Sequence, residues 1–363
     1  MQLISPTKVI RGKDAWKNSI SEIKKITYSP LLLGRSKQTE YLRSIISKDL
    51  KDNKLNLFQS ELDYDCCEED LERLYNFVII NKCDSIIAAG GGKVLDAGKL
   101  LADKLAIPCI TIPLSASTCA GWTALSNIYT IKGQFVRDVN LKSCPRLLVC
   151  DHHFIKTAPR ETLASGIADS LAKWYESSIT SGSNNDGITQ HAIQISRVLR
   201  DQLFIDGNVA FNNQNEENIA WCNVIEANSL TAGLIGGIGG EKCRTAAAHA
   251  LHNALTQLES SNKRLHGEIV GVGILFQLRL EESKNNNKLA KQSIKQLVGF
   301  MKTLNLPTSI YELGINVFEG NNLQKIANFT CRDKSEIHFL PFKVSPEDII
   351  EVISKSENQK IAI

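Results

Sequence analysis

Three histidines and an aspartate are candidate ligands for a metal ion. His249 and His252 lie three residues apart in an alanine-rich run, so a helix places both imidazoles on one face. His266 follows at the start of another helical pattern, and Asp169 lies in an apolar helical segment, where an unpaired charge is costly. Each residue also has an ordinary explanation, since an aspartate pairs readily with a lysine and most helical histidines bind no metal. The spacing alone leaves both interpretations open.

A run of glycines indicates a site for a phosphate group. The β-rich segment 85–89 leads directly into Gly-Gly-Gly-Lys at residues 90–93, and a helical pattern follows. Glycines let the backbone approach an anion closely, and free N–H groups with the positive end of a helix dipole favour a pyrophosphate there. The spacing fits neither a P-loop nor a G-x-G-x-x-G turn. A tight strand-to-helix connection without any ligand remains the alternative.

A second loop of small and hydroxylic residues follows the next expected strand. Residues 114–123 read Leu-Ser-Ala-Ser-Thr-Cys-Ala-Gly-Trp-Thr and come directly after a β-rich segment that ends at Pro113. Ligands of open α/β sheets bind outside the carboxyl ends of the strands. We therefore expect this loop and the glycine turn to lie side by side and to frame one crevice.

The elements that must position these residues change in character along the chain. In the first part, β-rich runs (30–34, 84–89, 107–112 and 146–150) alternate with helical patterns (69–81 and 94–105), which is typical of a parallel α/β layer. From Thr157 onward long helical patterns such as 163–179 and 188–203 dominate, with Thr157 expected as a helix cap and Pro159 in the first turn. The sequence predicts a Rossmann-like parallel-sheet domain over residues 1–155 and an all-α domain over residues 156–363.

The composition is that of an ordinary soluble globular protein. The 363 residues include 42 Lys+Arg and 39 Asp+Glu, so no strongly basic surface of the kind that binds nucleic acid is expected. The longest apolar stretches, such as 269–278, are shorter than the roughly 20 residues that span a bilayer, which argues against a membrane protein. The N-terminal residues lack the pattern of a signal peptide, so we expect a cytoplasmic protein whose ten cysteines are thiols.

Taken together, the motifs resemble a known family over nearly the whole chain. The matching segments are Gly90-Gly91-Gly92-Lys93-x-x-Asp96-x-x-Lys99, Ser117-Thr118 with Leu125-Ser126-x-x-Tyr129, Gly166-Ile167-Ala168-Asp169, Ala247-Ala248-His249-Ala250-x-His252-Asn253, and His266-Gly267-Glu268. As a set they resemble the glycerol dehydrogenase branch of the iron-containing alcohol dehydrogenase superfamily, whose fold is shared with dehydroquinate synthases. The resemblance therefore implies a dehydroquinate synthase-like fold.

The resemblance also implies functional residues. Asp169, His249 and His266 correspond to the ligands of a catalytic metal ion. A nicotinamide nucleotide is expected to contact Arg35, Gly91, Gly92, Lys93, Asp96, Ser117, Thr118, Thr123, Leu125 and Tyr129. His252, one turn from His249, is the candidate for proton delivery, and a role in orienting the metal ligands is its alternative. The family also suggests a homo-oligomer.

Three departures from the family pattern carry finer information. Iron-dependent relatives have a fourth ligand, a histidine, where this chain has Lys173; three ligands with an open position favour zinc over iron. Glycerol dehydrogenases have an aspartate that contacts the polyol where this chain has Cys119. NAD-preferring relatives have Gly-Asp where this chain has Gly34-Arg35, and an arginine there attracts a 2'-phosphate, which favours NADP. A simple solvent-exposed role for Arg35 is the alternative.

Other residues resemble bacterial hydroxycarboxylate dehydrogenases, which reduce short 2-oxo acids with NADPH. The likeness covers Thr118-Cys119-Ala120-x-Trp122-Thr123, Asp169-x-Leu171-Ala172-Lys173-Trp174-Tyr175-Glu176, Arg244 and Ile337-His338-x-Leu340-Pro341. Lys173 and Arg244 would present positive charge beside the metal, which a carboxylate substrate needs and glycerol does not. The alternative is that Lys173 only neutralises Asp169 or Glu176.

The sequence thus predicts a zinc-dependent, NADP-linked oxidoreductase that reduces a small 2-oxo acid to the 2-hydroxy acid, with Lys173, Arg244 and His252 as catalytic residues. A bound zinc ion would polarise the substrate carbonyl, and the cofactor would supply the hydride. The nearest rival is an NAD-dependent glycerol or polyol dehydrogenase. A catalytically silent nucleotide-binding protein with the same fold is a rival of another class.

Overall fold

The protein is described by a computed structural model that covers residues 3–182, 186–215 and 217–361. The strands are β1 (Lys8–Gly12), β2 (Pro30–Gly34), β3 (Phe58–Glu61), β4 (Ser85–Gly90), β5 (Cys109–Pro113), β6 (Leu125–Tyr129), β7 (Phe135–Asn140) and β8 (Leu147–Asp151). The helices of the first half are α1 (Ala15–Ile26), α2 (Glu40–Asp52), α3 (Glu68–Asn81) and α4 (Gly92–Leu105). The remaining helices are α5 (His152–Lys156), α6 (Arg160–Ser181), α7 (Gly187–Asn212), α8 (Ile219–Glu226), α9 (Ala232–Gly239), α10 (Ala247–Leu255), α11 (His266–Lys284), α12 (Lys288–Thr303), α13 (Asn322–Thr330) and α14 (Pro346–Ile361).

Six strands form one parallel sheet in the order β1-β8-β5-β4-β2-β3. Every residue of β2, β4, β5 and β8 is buried, because helices cover both faces of the sheet. These four are the strands expected from the sequence, and the parallel α/β prediction is confirmed. The two outermost strands, β1 and β3, are partly exposed and carry no continuous apolar run, so the sequence did not reveal them.

A two-stranded antiparallel hairpin, β6 and β7, stands apart from the main sheet. It follows the small-residue loop at residues 114–123 and returns the chain to the last strand of the sheet. Its outer strand is largely exposed, and sequence patterns gave no indication of it. The hairpin matters for the site because Leu125 and Tyr129 lie on β6.

The second half of the chain is helical, as predicted. The expected helices at 163–179 and 188–203 are the cores of α6 and α7, and α7 continues nine residues further than expected. Two details differ from the prediction. Thr157 ends α5 instead of capping α6, and its hydroxyl donates a hydrogen bond to the Phe154 carbonyl at 2.8 Å. Pro159 occupies the N-cap position of α6 instead of its first turn. The domain boundary at 155/156, which lies within α5, stays a prediction.

Helices α6, α10 and α11 approach one another unusually closely through glycines. A Cβ added to Gly267 would lie 1.8 Å from the Ser165 carbonyl oxygen, and one added to Gly273 would lie 2.4 Å from that of Ala248. Since no side chain fits at these contacts, only glycine lets the three backbones pack at this distance.

Within the described ranges, no helix is both long enough and apolar enough to cross a membrane.

Candidate active site

The expected crevice lies between the sheet and the helical half, as a cavity of about 520 Å³. Strands β4 and β5 are neighbours, and their last residues, Gly90 and Pro113, are paired in register. The glycine turn and the small-residue loop therefore emerge side by side at one edge of the sheet, as the sequence predicted. All ten residues expected to contact the nucleotide line this cavity, and so do Asp169, His249 and His266.

The glycine turn presents the N-terminus of α4 to the cavity. Gly91 is the N-cap, no side chain caps the helix, and the first turn holds no acidic residue. The first N–H groups of a helix have no partner within the helix, and here no capping side chain takes that place. A Cβ added to Gly91 would meet only the Ser115 hydroxyl oxygen, at 3.9 Å, which shows that the backbone is open on this side. A Cβ on Gly92 would lie 2.9 Å from Thr118 Cγ2, so that glycine packs against the second loop. The geometry suits an anion at the helix N-terminus.

Two lysines support this side of the cavity. Lys93 forms an ion pair with Asp65, and its Nζ lies 5.5 Å from the centre of the Tyr129 ring. Lys99 is buried and donates to the carbonyl oxygens of Thr123 (3.1 Å) and Leu125. It therefore fixes the segment 123–125 that lines the cavity, a role that sequence reasoning did not assign to it.

Asp96 lines the cavity but is bound from within the fold. Its carboxylate lies 3.1 Å from Lys99 Nζ and accepts a hydrogen bond from the Asn127 N–H at 3.2 Å. Burial raises the pKa of Asp96, and the charge of Lys99 opposes that change. These contacts indicate that Asp96 positions Lys99 and the start of the hairpin, and the nucleotide contact expected from the sequence stays a prediction.

Arg35 lies on the chain that leaves β2, directly after Gly34. It is exposed and lines the cavity together with Ser36 and Thr39. The segment is held by Arg43, whose guanidinium donates to the Ser36 carbonyl at 2.9 Å and pairs with Glu61. Arg35 is thus free to extend toward a ligand while its backbone is fixed.

The side chains of Asp169, His249 and His266 converge from three helices. One atom from each lies within 4.8 Å of the other two. Asp169 Oδ1 is 3.4 Å from His249 Nε2 and 3.5 Å from His266 Nε2. Two ligands at zinc bond lengths and a tetrahedral angle lie about 3.4 Å apart, so the three atoms fit one divalent ion. Burial opposes the charge of Asp169, but the two imidazoles and Lys173 keep the pKa of this carboxylate well below its usual value.

Glu176 is a residue of the site that the sequence prediction did not include. It lies fully buried two turns after Asp169 on α6 and accepts hydrogen bonds from the backbone N–H groups of Ala246 (2.6 Å) and His249 (3.0 Å). Its other oxygen is 2.7 Å from His249 Nδ1, which leaves Nε2 to face Asp169. A carboxylate behind a metal-binding histidine is a common arrangement that orients the ring.

His252 lies behind His266 and is absent from the residues that line the cavity in the described chain. Its Nε2 is 2.9 Å from His266 Nδ1, and its Nδ1 is 3.0 Å from Asn253 Oδ1. Burial lowers the pKa of His252 well below its usual value. Both ring nitrogens are hydrogen-bonded to neighbouring side chains, which favours the orienting role that was the alternative, and proton delivery by His252 stays a prediction.

Lys173, Arg244 and Cys119 line the cavity next to Asp169. Lys173 is buried and donates to the Arg244 carbonyl at 3.0 Å; in the described part of the chain it forms no ion pair within 4.0 Å with Asp169 or Glu176. The Arg244 guanidinium likewise has no acidic partner among the described residues. Burial raises the pKa of the Cys119 thiol, so this side chain is neutral.

Comparison with known proteins identifies the family. A profile of the iron-containing alcohol dehydrogenases matches residues 6–152. Glycerol dehydrogenase of Thermotoga maritima is 32% identical over 300 residues, which are 81% of this chain and 79% of the relative. The chain belongs to the iron-containing alcohol dehydrogenase family. Hydroxycarboxylate dehydrogenase A of Escherichia coli K12 is 32% identical over 280 residues, 76% of this chain and 75% of the relative.

A solved structure extends this relationship to the whole fold. A probable glycerol dehydrogenase from Sinorhizobium meliloti 1021 superimposes with a TM-score of 0.85 and 26% sequence identity, covering 99% of each chain. The protein lies in the glycerol dehydrogenase branch of the iron-containing alcohol dehydrogenase family, as the sequence motifs indicated. It is an NAD(P)-dependent dehydrogenase that acts on alcohol groups, in a family that depends on a metal ion.

The environment of His249 predicts how metal binding depends on pH. Burial disfavours the imidazolium, but the charge of Glu176 and the hydrogen bond to Asp169 raise the pKa of His249 to about 9 in the metal-free protein. Because a metal ion binds the neutral ring, binding below pH 9 must release this proton. We expect the affinity for Co²⁺ to rise about tenfold per pH unit between pH 7 and 9 and then to level off.

Competition with a chelator of known affinity, at half-unit steps from pH 6.5 to 10, measures this dependence. In Glu176→Gln the imidazolium loses its main stabilising charge, so the slope between pH 7 and 9 should become shallower, and above pH 9, where His249 is neutral in both proteins, the affinity should be lower than that of the wild type. A wild-type affinity that does not change between pH 7 and 9 would show that His249 is neutral before the metal arrives.

Proposed function

We propose that the protein catalyses the reversible NAD(P)-linked oxidation of one hydroxyl of a small polyol of the glycerol type, at a divalent metal ion held by Asp169, His249 and His266. The observation that carries the proposal is the placement of these three ligand atoms in the same cavity as the exposed N-terminus of α4. The glycerol dehydrogenase of Thermotoga maritima and the probable glycerol dehydrogenase of Sinorhizobium meliloti support a polyol as the substrate class.

Each half of the chain has a distinct task in this reaction. The first turn of α4 and Lys93 bind the pyrophosphate of the nucleotide, and Lys99 holds the segment 123–125 against it. On the other side, Glu176 fixes the ring of His249, so the ligands are oriented before substrate arrives. When bound, the metal supplies a positive charge that stabilises the negative charge developing on the reacting oxygen. The cavity walls exclude water from the hydride path.

Three residues favour a second candidate substrate, a small 2-hydroxy or 2-oxo acid. Lys173 and Arg244 bring two positive charges to the cavity wall near Asp169, and neither is neutralised by an ion pair within the described ranges. Cys119 is uncharged and so does not repel a carboxylate. The hydroxycarboxylate dehydrogenase of Escherichia coli supports this class. The sequence analysis preferred such an acid, whereas the relatives as a group support the polyol better.

The finer cofactor assignments are also proposals. Three protein ligands, with Lys173 in place of a fourth, favour zinc over iron. The exposed Arg35 at the nucleotide end of the cavity favours NADP over NAD, because a guanidinium pairs well with a 2'-phosphate. The homo-oligomeric state and the cytoplasmic location expected from the sequence stay predictions.

Removing one ligand tests the metal site. In Asp169→Ala we expect the stoichiometric divalent metal of the wild type to be lost, together with at least a 100-fold decrease in kcat/KM, because two histidines cannot retain the ion. Metal analysis by mass spectrometry and steady-state kinetics measure both. Asp201→Ala, which changes an exposed carboxylate of α7, serves as the control. An Asp169→Ala variant that keeps both metal and activity would refute the proposed site.

Substrate profiling separates the two substrate classes. The polyol proposal predicts a higher kcat/KM for glycerol than for 2-oxobutyrate, each measured with its better nicotinamide cofactor. If the acid is the substrate, Arg244→Gln and Cys119→Asp should each lower kcat/KM for 2-oxobutyrate by about 10-fold or more, since only the acid needs compensating charge. Glycerol turnover should stay nearly unchanged in Arg244→Gln and should rise in Cys119→Asp, because a carboxylate accepts hydrogen bonds from polyol hydroxyls. A higher wild-type kcat/KM for 2-oxobutyrate than for glycerol would contradict the polyol proposal and identify the acid as the substrate class.

Arg35→Asp tests the choice of nucleotide. A carboxylate at this position repels a 2'-phosphate and accepts hydrogen bonds from ribose hydroxyls, so the ratio of kcat/KM with NADP to that with NAD should fall by at least 10-fold. Arg137→Asp, at an exposed position of β7, controls for the change in net charge. An unchanged ratio would show that Arg35 does not contact the phosphate.

A further inference from the structure

A chain of hydrogen bonds runs from the candidate metal site to the C-terminal part of the protein. His266 Nδ1 lies 2.9 Å from His252 Nε2, His252 Nδ1 lies 3.0 Å from Asn253 Oδ1, and Asn253 Nδ2 lies 3.2 Å from Glu336 Oε1. We propose that His252, Asn253 and Glu336 are positioning residues that hold the metal ligand His266 in one tautomer and one ring orientation. The inference rests on the proposed metal site. It states that residues which do not bind the metal hold one of its ligands in place.

The chemistry of each group sets the direction of every bond in the chain. His266 Nε2 faces Asp169, so a neutral His266 that binds a metal through Nε2 carries its proton on Nδ1. That proton is donated to His252 Nε2, which leaves the His252 proton on Nδ1. His252 then donates to the Asn253 carbonyl oxygen, and the Asn253 amide donates to the Glu336 carboxylate, which accepts. All three bonds are satisfied by this one arrangement.

Burial makes the chain difficult to replace by solvent. His252 is 3% exposed and Asn253 is 6% exposed, so a lost acceptor would leave an unpaired donor in the interior. His252 and Asn253 belong to α10, His266 begins α11, and Glu336 starts a short 3₁₀ helix near the C-terminus. Three separate segments must therefore be packed correctly before His266 is oriented.

The two histidine ligands are thus supported differently. His249 contacts the carboxylate of Glu176 directly, whereas His266 reaches a carboxylate only through two neutral groups. A neutral acceptor leaves the imidazole a weaker base than an adjacent carboxylate does. The chain therefore serves mainly to orient His266, and its loss should change the geometry and affinity of the bound metal.

Glu336 offers a matched pair of variants. Its Oε2 makes no hydrogen bond to the described residues, so the amide nitrogen of Glu336→Gln breaks no contact there, while the amide oxygen still accepts from Asn253. Glu336→Met has similar length but no acceptor. His252→Phe keeps the ring and removes both of its hydrogen bonds, so it interrupts the chain next to the ligand.

The test is a titration of metal-depleted protein with Co²⁺, followed by its visible d–d absorption. We expect Glu336→Gln to bind Co²⁺ like the wild type, and His252→Phe to bind about 10- to 100-fold more weakly with a shifted spectrum. Glu336→Met should fall between them. Thermal unfolding of the metal-free proteins shows whether each variant is folded, and Glu336→Met serves as the decisive variant if His252→Phe does not fold.

The outcomes separate this inference from the proposed function. If wild-type protein fails to bind one Co²⁺ per chain, the metal site itself is wrong. If the wild type binds Co²⁺ and folded His252→Phe and Glu336→Met bind it with unchanged affinity and spectrum, the positioning role is overturned while the metal site stands. Weakened binding in Glu336→Met but not in Glu336→Gln supports the chain.

Discussion

The buried carboxylate of Asp169 is the constraint on which the helical half depends. A charge in this position is costly unless opposite charges or a metal compensate it, and here two imidazoles and the amine of Lys173 do so. To bring His249 and His266 to this carboxylate, three helices must approach to backbone contact, which the glycines at 267 and 273 allow. The close packing of these helices therefore also sets the positions of Asp169, His249 and His266.

On the side of the cavity formed by the α/β half, buried charges also hold the backbone in place. Lys99 is almost inaccessible, pairs with Asp96 and donates to two carbonyl groups of the segment that follows the second loop. Glu176 does the same on the metal side, where one carboxylate binds two backbone N–H groups and a ring nitrogen. In each half, a buried charged residue that does not line the cavity fixes residues that do, since a lost charge pair in the interior is not replaced by water.

Sequence patterns predicted the strands that are buried on both faces and the long helices with a regular apolar period. The central strands β2, β4, β5 and β8 are buried on both faces, so their apolar runs stand out, and the long helices show a clear period. The edge strands β1 and β3 and the β6–β7 hairpin are partly exposed, so polar residues interrupt their apolar ones and no continuous apolar run marks them. Thr157 and Pro159 have the types of a helix start, but the preceding helix α5 uses Thr157 at its end.

The fold class and the glycine turn followed from the sequence alone, because both depend on residue type and local spacing, and the resemblance to a family selected Asp169, His249 and His266 as the metal-ligand candidates. The groups that support them became apparent only in the folded chain. The contacts of Glu176 with His249, of Lys99 with the segment 123–125, and of Glu336 with Asn253 join residues 24 to 83 positions apart. Such pairs leave no periodic pattern in the chain. For the same reason the sequence did not show that His252 contacts His266, since spacing gives the face of a helix but not the partner that covers it.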